Sequence, residues 1–348
     1  MAETIRVVQW GLGAMGSGMA KLVTEKPGIE ITGALRKRPD TVGTDLGAVL
    51  GLDRKLGVRI SNTPAEVLRR ETADLVIHAT DSFTRSSFAE VRQILEAGLD
   101  CISIAEELSA PQAQEPELAA ELDRLARENG VTLLGTGVNP GFVLDLLIIT
   151  LSGACHRVDR IEASRVNDLS PFGHTVMKTQ GVGTTVEEFQ AGLREGTIVG
   201  HIGFPESIRM ISDALGLGVD RVEQTREPIV SQTARETPHV QVKPGMVAGC
   251  RHIGVGYAGD REVVKLIHPQ QIHPEAEDTD TGDYISIEGK PGINMSIQPE
   301  IPGGIGTIGV AVNMIPLVRQ ASPGLKRMFD LPVPACIMGE SALQRGGL

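Results

Sequence analysis

Aromatic residues, paired cysteines and long apolar runs are all scarce in this sequence. These scarcities argue against an aromatic pocket, a cysteine metal or redox motif, and a membrane helix. Aromatics make up 3% of the 348 residues, so any ligand pocket is expected to be bounded by aliphatic and small side chains. The four cysteines lie far apart without CxxC pairing, which argues against a metal or redox motif and favours isolated buried thiols. No apolar run reaches the roughly 18 residues of a membrane helix, and the N-terminus has no signal-peptide character. A cytoplasmic enzyme is predicted.

An excess of positive charge is also missing. The net charge of −11 argues against nucleic acid or an anionic membrane surface as a partner and leaves small molecules as the expected ones. His268 and His273 lie five residues apart beside prolines, and this spacing is not typical of metal ligands. No metal is therefore predicted.

Glycine, in contrast, is abundant, and its most informative use is a fingerprint near the N-terminus. The apolar run from Ile5 to Trp10 leads directly into a GxGxxG pattern, and Met19, Leu22 and Val23 continue it as the apolar stripe of a helix. This order predicts a Rossmann unit that binds a dinucleotide pyrophosphate at the helix N-terminus, with an ordinary glycine-rich turn as the alternative. The predicted cofactor-binding residues are Gly11, Leu12, Gly13, Ala14, Met15 and Gly16.

Three cations follow the predicted second strand, Ile29 to Leu35. Arg36, Lys37 and Arg38 stand where an NAD-selective unit usually places a carboxylate that binds the ribose 2′-hydroxyl. Their charge favours a 2′-phosphate, so NADP (NADPH) is predicted as the preferred coenzyme and NAD as a possible one. Arg36 is the strongest candidate, because it directly follows the strand and a guanidinium forks phosphate well. A solvated basic loop is the alternative.

The order of apolar segments predicts an α/β protein with two domains. Strands alternate with amphipathic helices at first, which is typical of a parallel sheet covered on both faces, and longer alternating strands then predict a second, α+β domain. The predicted boundaries are 1–145 for the Rossmann domain and 146–305 for a substrate and dimerisation domain. Residues 306–348 are predicted to form a C-terminal helix and tail that pack back on the first domain.

Polar residues follow several predicted strands, at the sheet edge where such folds bind their ligands. Thr80 and Ser82 are placed to touch the ribose or phosphate of the coenzyme. A glycine-rich turn further along supplies Asn139 as a coenzyme or substrate contact, and Pro140 and Phe142 as substrate contacts. A simple entry turn to the apolar helix predicted immediately afterwards is the alternative.

A polar, glycine-flanked run in the second domain is poorly explained by core packing and predicts further substrate contacts. These are Phe172, His174, Thr179 and Gln180. His174 is a candidate for binding or proton relay, with a surface histidine as the alternative. A substrate carboxylate would need a cation, for which Arg165, His174 and Lys178 are candidates that the sequence alone does not bring together.

Four strings carry a family resemblance: SIAEELSAP at 103–111, GTGVNPGFVLDLL at 135–147, SPFGHTVMKTQGVG at 170–183 and VGHIGFPESI at 199–208. The chain resembles the 2,4-diaminopentanoate dehydrogenases and related native amine dehydrogenases, within the dihydrodipicolinate-reductase-like branch. The resemblance implies an open mixed sheet in the second domain, a homodimer, and reversible conversion of an amine to a ketone and ammonia with a nicotinamide coenzyme. The His-rich motif of true dihydrodipicolinate reductases is missing, which disfavours that activity.

The resemblance also implies that a glutamate of the pair Glu106–Glu107 contacts the reacting amine. An ionised carboxylate stabilises an iminium cation, and a carboxyl group with a raised pKa moves protons near neutral pH. Adjacent residues of an extended segment point to opposite sides, so only one is expected to face the substrate. Analogy with a related Glu-Lys-Pro segment favours Glu107 and the alternate register favours Glu106. A solvated loop or helix cap is the alternative for both.

Three functions therefore compete. The leading hypothesis is an NADP-preferring amine dehydrogenase that acts on 2,4-diaminopentanoate or a similar small amine. Its rival is an NADP-dependent oxidoreductase of the same fold that acts on a C=O or C=C bond without ammonia. A nucleotide-binding sensor with a decayed pocket is disfavoured, because Glu106, Glu107 and the polar run at 170–183 are intact.

Overall fold

The computed structural model describes residues 4–344. The chain divides into two compact units, the first formed by Met1–Phe142 with Gly303–Leu348 and the second by Val143–Pro302. These divisions lie three residues before the boundaries expected from the sequence. Within the described residues, no helix is long and apolar enough to cross a membrane.

The strands and helices are numbered in chain order. The strands are β1 (Ile5–Trp10), β2 (Ile29–Leu35), β3 (Ile60–Ser61), β4 (Leu75–His78), β5 (Asp100–Ser103), β6 (Thr132–Gly135), β7 (Arg157–Asp168), β8 (Arg221–Val230), β9 (Arg235–Glu236), β10 (Gln241–Val242), β11 (Val247–Ala258), β12 (Arg261–Gln271), β13 (Gly282–Lys290), β14 (Ile293–Ile297) and β15 (Gly324–Lys326). The helices are α1 (Ala14–Val23), α2 (Leu46–Val49), α3 (Pro64–Val67), α4 (Thr84–Glu96), α5 (Pro116–Glu128), α6 (Leu146–Ser152), α7 (His174–Thr179), α8 (Val186–Glu195), α9 (Phe204–Leu215), α10 (Gly303–Asn313) and α11 (Ile315–Arg319).

The first unit is built on a parallel sheet with the strand order β15-β6-β5-β4-β1-β2-β3. All four residues of β4, of β5 and of β6 are buried, because helices cover both faces of a doubly wound sheet and each strand can be apolar throughout. The predicted Rossmann-type domain is confirmed. Since all its strands run in one direction, the residues that follow β1, β2, β4, β5 and β6 lie along one edge.

The C-terminal residues complete this unit. Helix α10 packs against α1, and α11 packs against β5 and β6. Strand β15 then adds to the sheet edge beside β6, pairing Gly324 with Thr132 in parallel. Sequence reasoning predicted the returning helix and missed this strand, which is three residues long and has no alternating pattern to reveal it.

The second unit contains a mixed sheet in the order β14-β13-β7-β12-β11-β8, in which β7 and β12 are parallel and the other pairs antiparallel. Helix α9 packs on β11 and β12, and α6 packs on α9. Every second residue of the central part of β7 is therefore buried, from Ile161 to Asn167. The predicted α+β domain with an open mixed sheet is confirmed.

Two local expectations are wrong. The turn at residues 139–141 does not lead directly into a helix: α6 begins at Leu146, whose N–H donates to the Asp145 carboxylate at 2.6 Å. The predicted extended segment after β5 is instead a short 3-10 turn, Glu106–Ser109. Tertiary contacts decide both places, because neither stretch has the length or periodicity that fixes local structure.

Candidate active site

The turn after β1 brings backbone segments together so closely that side chains cannot fit. A Cβ atom on Gly11, whose φ is +96°, would lie 2.2 Å from the Ala79 oxygen, and one on Gly16 would lie 2.0 Å from the Gly11 oxygen. A Cβ on Gly13 would meet nothing within 4 Å, and no side chain caps α1 at this residue. The open space at the start of a helix fits the pyrophosphate of a nicotinamide coenzyme.

The remaining fingerprint residues differ in exposure. Leu12 is buried in a core cluster with Ala20 and Ala34, whereas Ala14 is exposed and Met15 half-buried. Leu12 therefore supports the turn from beneath, while Gly13 and Ala14 form its open side.

The three cations after β2 have three different environments. The half-buried Arg36 donates from Nη1 to the Thr41 hydroxyl at 3.0 Å, and the same nitrogen lies 3.8 Å from the carboxylate of the exposed Asp40. Lys37 is exposed, and its Nζ lies 2.6 Å from Oε1 of Glu90 on α4. Arg38 is exposed. The three cations carry the same charge, but they differ in exposure and in the partners that they contact.

A cavity of about 310 Å³ opens beside these cations. Its walls combine apolar side chains with polar groups that come from β1, from the segments after β2 and β3, and from α4. They are Trp10, Leu35, Arg36, Lys37, Asn62, Pro64, Ala89, Glu90 and Gln93. A cavity of this size with a few polar groups is typical of a small-molecule subsite.

The loop after β4 is held by its own side chains. Asp81 accepts hydrogen bonds from the N–H groups of Ser82 and Phe83 at 2.7 and 3.1 Å. The Thr80 hydroxyl donates to Glu90 at 2.5 Å, and the Ser82 hydroxyl bonds the Glu106 carboxylate. The predicted contacts of Thr80 and Ser82 with a coenzyme stay predictions, since both hydroxyls already have protein partners.

The two adjacent glutamates of the turn after β5 have different surroundings. Glu107 Oε2 accepts from the N–H of Thr84, the first residue of α4, at 2.8 Å, and its Oε1 accepts from Gln114 at 3.3 Å. It acts as a cap for a helix whose own N-cap residue, Phe83, offers no side-chain acceptor. One half of the alternative proposed from the sequence, a helix cap, therefore describes Glu107.

The carboxyl group of Glu106 is in a less favourable environment for a charge. Burial raises its pKa to about 7, with Asp81 and Glu107 nearby as further negative charges, while the hydrogen bond from Ser82 opposes the shift. Burial also raises the pKa of Glu107, and the Thr84 N–H opposes that shift. Both pKa values are raised, and that of Glu106, at about 7, lies where a carboxyl group can exchange its proton near neutral pH.

A glycine at the end of β6 fixes the position of this turn. A Cβ on Gly135 would lie 2.0 Å from both the carbonyl carbon and the oxygen of Leu108. Further along, the N–H of Val138 donates to the Thr307 hydroxyl at 3.1 Å. Asn139 and Phe142 are half-buried and Pro140 is buried, so this segment offers limited surface to a ligand.

In the second unit, the four predicted substrate contacts do not form one group. Phe172 packs in an apolar cluster with Met177, and His174 is exposed at the start of α7. The Thr179 hydroxyl donates back to a carbonyl of its own helix at 2.9 Å. Gln180 alone among the four is a buried polar side chain, and its Nε2 donates to the Gly200 oxygen at 2.8 Å.

Gln180 lies beside a cluster of histidines that the sequence analysis missed. The N–H of His201 donates to Nδ1 of His252 at 3.0 Å, and the rings of His201 and His268 are 4.8 Å apart. His252 and His268 are directly opposite each other on β11 and β12. Their Nε2 atoms are buried and have no hydrogen-bond partner within residues 4–344, which is unusual for a polar group and suits a ligand or water.

The histidine cluster is held neutral by its surroundings. Burial and the positive charges of Arg165 and Arg226 lower the pKa of His201 to about 3, and burial lowers the pKa of His252 to about 2. The Arg165 guanidinium itself is buried and lies 2.6 Å from the Asp283 carboxylate. Of the three cations considered for a carboxylate, Arg165 is thus in the interior, whereas His174 and Lys178 are exposed.

One sequence signal could have found this cluster. On β7 the buried positions are Ile161, Ala163, Arg165 and Asn167, and on β12 they include Leu266, His268 and Gln270. In each strand the face that packs on helices changes from apolar to polar towards one end. A polar residue at an inward position of an alternating strand is a functional signal.

Comparison with known proteins finds matches to two family models. Residues 142–345 match the model of the 2,4-diaminopentanoate dehydrogenase C-terminal domain, and residues 5–103 match that of the dihydrodipicolinate reductase N-terminus. A 2,4-diaminopentanoate dehydrogenase of Acetoanaerobium sticklandii is 49% identical over 97% of this chain and 96% of its own length.

Two further relatives are more distant. An amine dehydrogenase of Streptomyces virginiae is 26% identical over 96% of this chain and 98% of its own length. The solved structure of an amine dehydrogenase from Mycobacterium smegmatis superposes with a TM-score of 0.84 at 30% identity, covering 95% of this chain and 97% of the other.

The raised pKa of Glu106 predicts a pH-dependent stability. The folded protein holds the Glu106 proton more tightly than the unfolded chain does, so ionising this group costs folding free energy as the pH rises from its ordinary pKa of 4.5 through about 7. Glu106→Gln removes this cost. We expect it to stabilise the fold by up to about 3 kcal/mol at pH 8 and by less than about 1 kcal/mol at pH 5.

Urea unfolding at the two pH values measures the difference. The exposed Glu117 supplies the matched control, since Glu117→Gln should change stability little at either pH. Destabilisation by Glu106→Gln at pH 8, or an equal effect at both pH values, would contradict the assigned electrostatics.

Proposed function

The chain belongs to the family of 2,4-diaminopentanoate dehydrogenases, and from this premise we propose that Glu106 carries out the proton transfers of its reaction. The protein is an NAD(P)-dependent amine dehydrogenase that acts on a CH–NH2 carbon of a small molecule. The observation that carries the proposal is the division of work between two adjacent glutamates: Glu107 caps α4, while Glu106 has a pKa of about 7.

A nicotinamide coenzyme held at the turn of Gly11, Gly13 and Gly16 would supply the hydride exchange with the amine carbon in both directions. In the direction of amination, ammonia adds to the ketone carbon and gives a carbinolamine. Protonated Glu106 donates its proton to the carbinolamine hydroxyl, which leaves as water, and the resulting carboxylate stabilises the iminium cation. In deamination, ionised Glu106 takes a proton from the water that attacks the iminium carbon. A pKa of about 7 makes both forms available near neutral pH.

The polar groups of the second unit support a polar substrate. An alkyl amine without other polar groups would leave the buried Nε2 atoms of His252 and His268 unpaired. We therefore propose that, within the second unit, this cluster binds a polar group of a small molecule, with Gln180 beside it. Asn139, Pro140, Phe142, Phe172, His174 and Thr179 remain proposed contacts of lower weight, because most are exposed or engaged in local packing. A homodimer also remains a proposal, by analogy with proteins of this architecture.

An ammonium-dependence assay tests the function directly. We expect NADPH oxidation with 2-amino-4-oxopentanoate to require added ammonium, and to be faster than with pentan-2-one, which lacks the polar end. Turnover without ammonium would move the protein to the rival activity on a C=O bond. Equal rates with both ketones would contradict a polar substrate pocket.

Exchange of each glutamate tests their separate roles. Glu106→Gln removes the proton-transfer group and should lower kcat about 100-fold or more. Glu107→Gln keeps an oxygen that can accept from Thr84, so its kcat should stay within about tenfold of the parent. Coenzyme dissociation constants, measured separately, should change little in both. Full activity of Glu106→Gln, or loss only in Glu107→Gln, would refute the assignment.

The preference for NADP is proposed from Arg36, which lines the cavity after β2. Arg36→Ala should raise the Michaelis constant for NADPH at least about tenfold and change that for NADH much less, because a guanidinium to phosphate hydrogen bond is charge-assisted. Initial rates with each coenzyme measure this ratio. Equal losses for the two coenzymes would remove the argument for a 2′-phosphate site.

A further inference from the structure

The ion pair between Lys37 and Glu90 is strongly asymmetric. The lysine side chain is 76% exposed, whereas the glutamate side chain is 8% exposed and reaches the lysine from the inner side of α4. Exposed pairs contribute little, but here one partner is a buried carboxylate that cannot turn away to water. The lysine is thereby tied to a fixed negative charge.

Hydrogen bonds fix that carboxylate from the other side. Glu90 Oε2 accepts from Thr80 at 2.5 Å and from Nε2 of His78 at 2.8 Å. His78 Nδ1 in turn lies 3.0 Å from the Ser103 hydroxyl, which accepts from the N–H of Ala105. Because an ionised carboxylate only accepts hydrogen bonds, Nε2 of His78 carries the proton that faces Glu90. A continuous chain of partners immobilises the carboxylate.

The pair stands at the cavity beside the β2 cations. Lys37, Glu90 and Arg36 all line it, together with Trp10. A charge at this position acts on whatever lies near Arg36, because Coulomb interactions between half-exposed groups extend over several ångströms. Sequence reasoning counted Lys37 as a free positive charge, and the structure gives it a negative partner.

We propose that Glu90 sets the coenzyme selectivity of this protein as a positioning residue, by neutralising Lys37 at the rim of the cavity where Arg36 receives a 2′-phosphate. The inference rests on the proposed coenzyme site at Arg36. Glu90 limits the preference for NADP: with Lys37 held by a buried carboxylate, the attraction comes from the exposed Arg38 and from Arg36, whose own partner Asp40 is exposed and 3.8 Å away. This balance would leave NAD usable.

The proposal predicts opposite effects for the two partners. Glu90→Gln leaves Lys37 uncompensated, adds one positive charge and should increase the preference for NADP+ over NAD+ about threefold or more at low ionic strength. Lys37→Met leaves the buried carboxylate uncompensated and should decrease the preference by a similar factor. The double variant restores neutrality and should return to within about twofold of the parent.

Trp10 provides a readout that does not depend on turnover. It is the single tryptophan of the chain and lines this cavity, so titration of its fluorescence with NADP+ and NAD+ gives both dissociation constants. NADP+ and NAD+ contain the same chromophores, so optical artefacts cancel in the ratio of their dissociation constants. Glu96→Gln, on the exposed side of the same helix, is the matched control and should leave both constants unchanged.

The outcomes separate the explanations. If Glu90→Gln changes the dissociation constants of both coenzymes equally, Glu90 is merely structural. If the double variant binds NADP+ as weakly as Lys37→Met does, Lys37 binds the phosphate directly. Either result overturns the proposal. If circular dichroism shows that Glu90→Gln does not fold, the coenzyme dissociation constants of the double variant and of Lys37→Met are compared instead, and they distinguish the same explanations. Failure of the ammonium assay leaves these binding ratios valid, so the two proposals fail separately.

Discussion

The candidate active site depends on a close approach of backbones for which only glycine leaves room. Gly135 ends β6 directly beneath Leu108, with a carbonyl 2.0 Å from where a Cβ would stand, and Gly11 meets Ala79 in the same way. Through these contacts the ends of neighbouring strands hold the turns that follow them. The turn with Glu106 is thus positioned by main-chain packing and by the cap that Glu107 places on α4. Few flexible side chains intervene between the sheet and the Glu106 carboxyl group.

Two identical, adjacent side chains acquire different hydrogen-bond partners and different electrostatics from their surroundings. Glu107 gains an N–H at a helix start, where the partial positive charge stabilises an anion by up to about 1 kcal/mol. Burial disfavours the ionised form of Glu106 more than its hydrogen bonds stabilise that form, so its pKa is raised to about 7. The 3-10 turn creates this difference, because it sends the two side chains towards different neighbours.

The sequence predicted the elements whose patterns are long and regular. Strand β2, helix α1 and the parallel sheet all follow from periodicity, and the glycine fingerprint lies where the prediction placed it. The sequence pattern did not predict the contacts of individual side chains. Neither the partnership of Lys37 with Glu90, 53 residues away, nor the pairing of His252 with His268 is encoded locally. The hydrogen bond from Thr84 to Glu107, which distinguishes it from Glu106, is likewise not encoded locally.

The neutral histidines of the second unit have a wider consequence. Since the pKa values of His201 and His252 lie near 3 and 2, these imidazoles keep the same proton count throughout the physiological range. Histidine is usually the first residue considered when an enzyme responds to mild acidification, yet the histidines of this cluster do not change their charge in that pH range. A response to mild acidification would therefore have to come from groups outside this cluster, such as Glu106, whose pKa is about 7, or His273, whose pKa is raised by its hydrogen bond to Glu275.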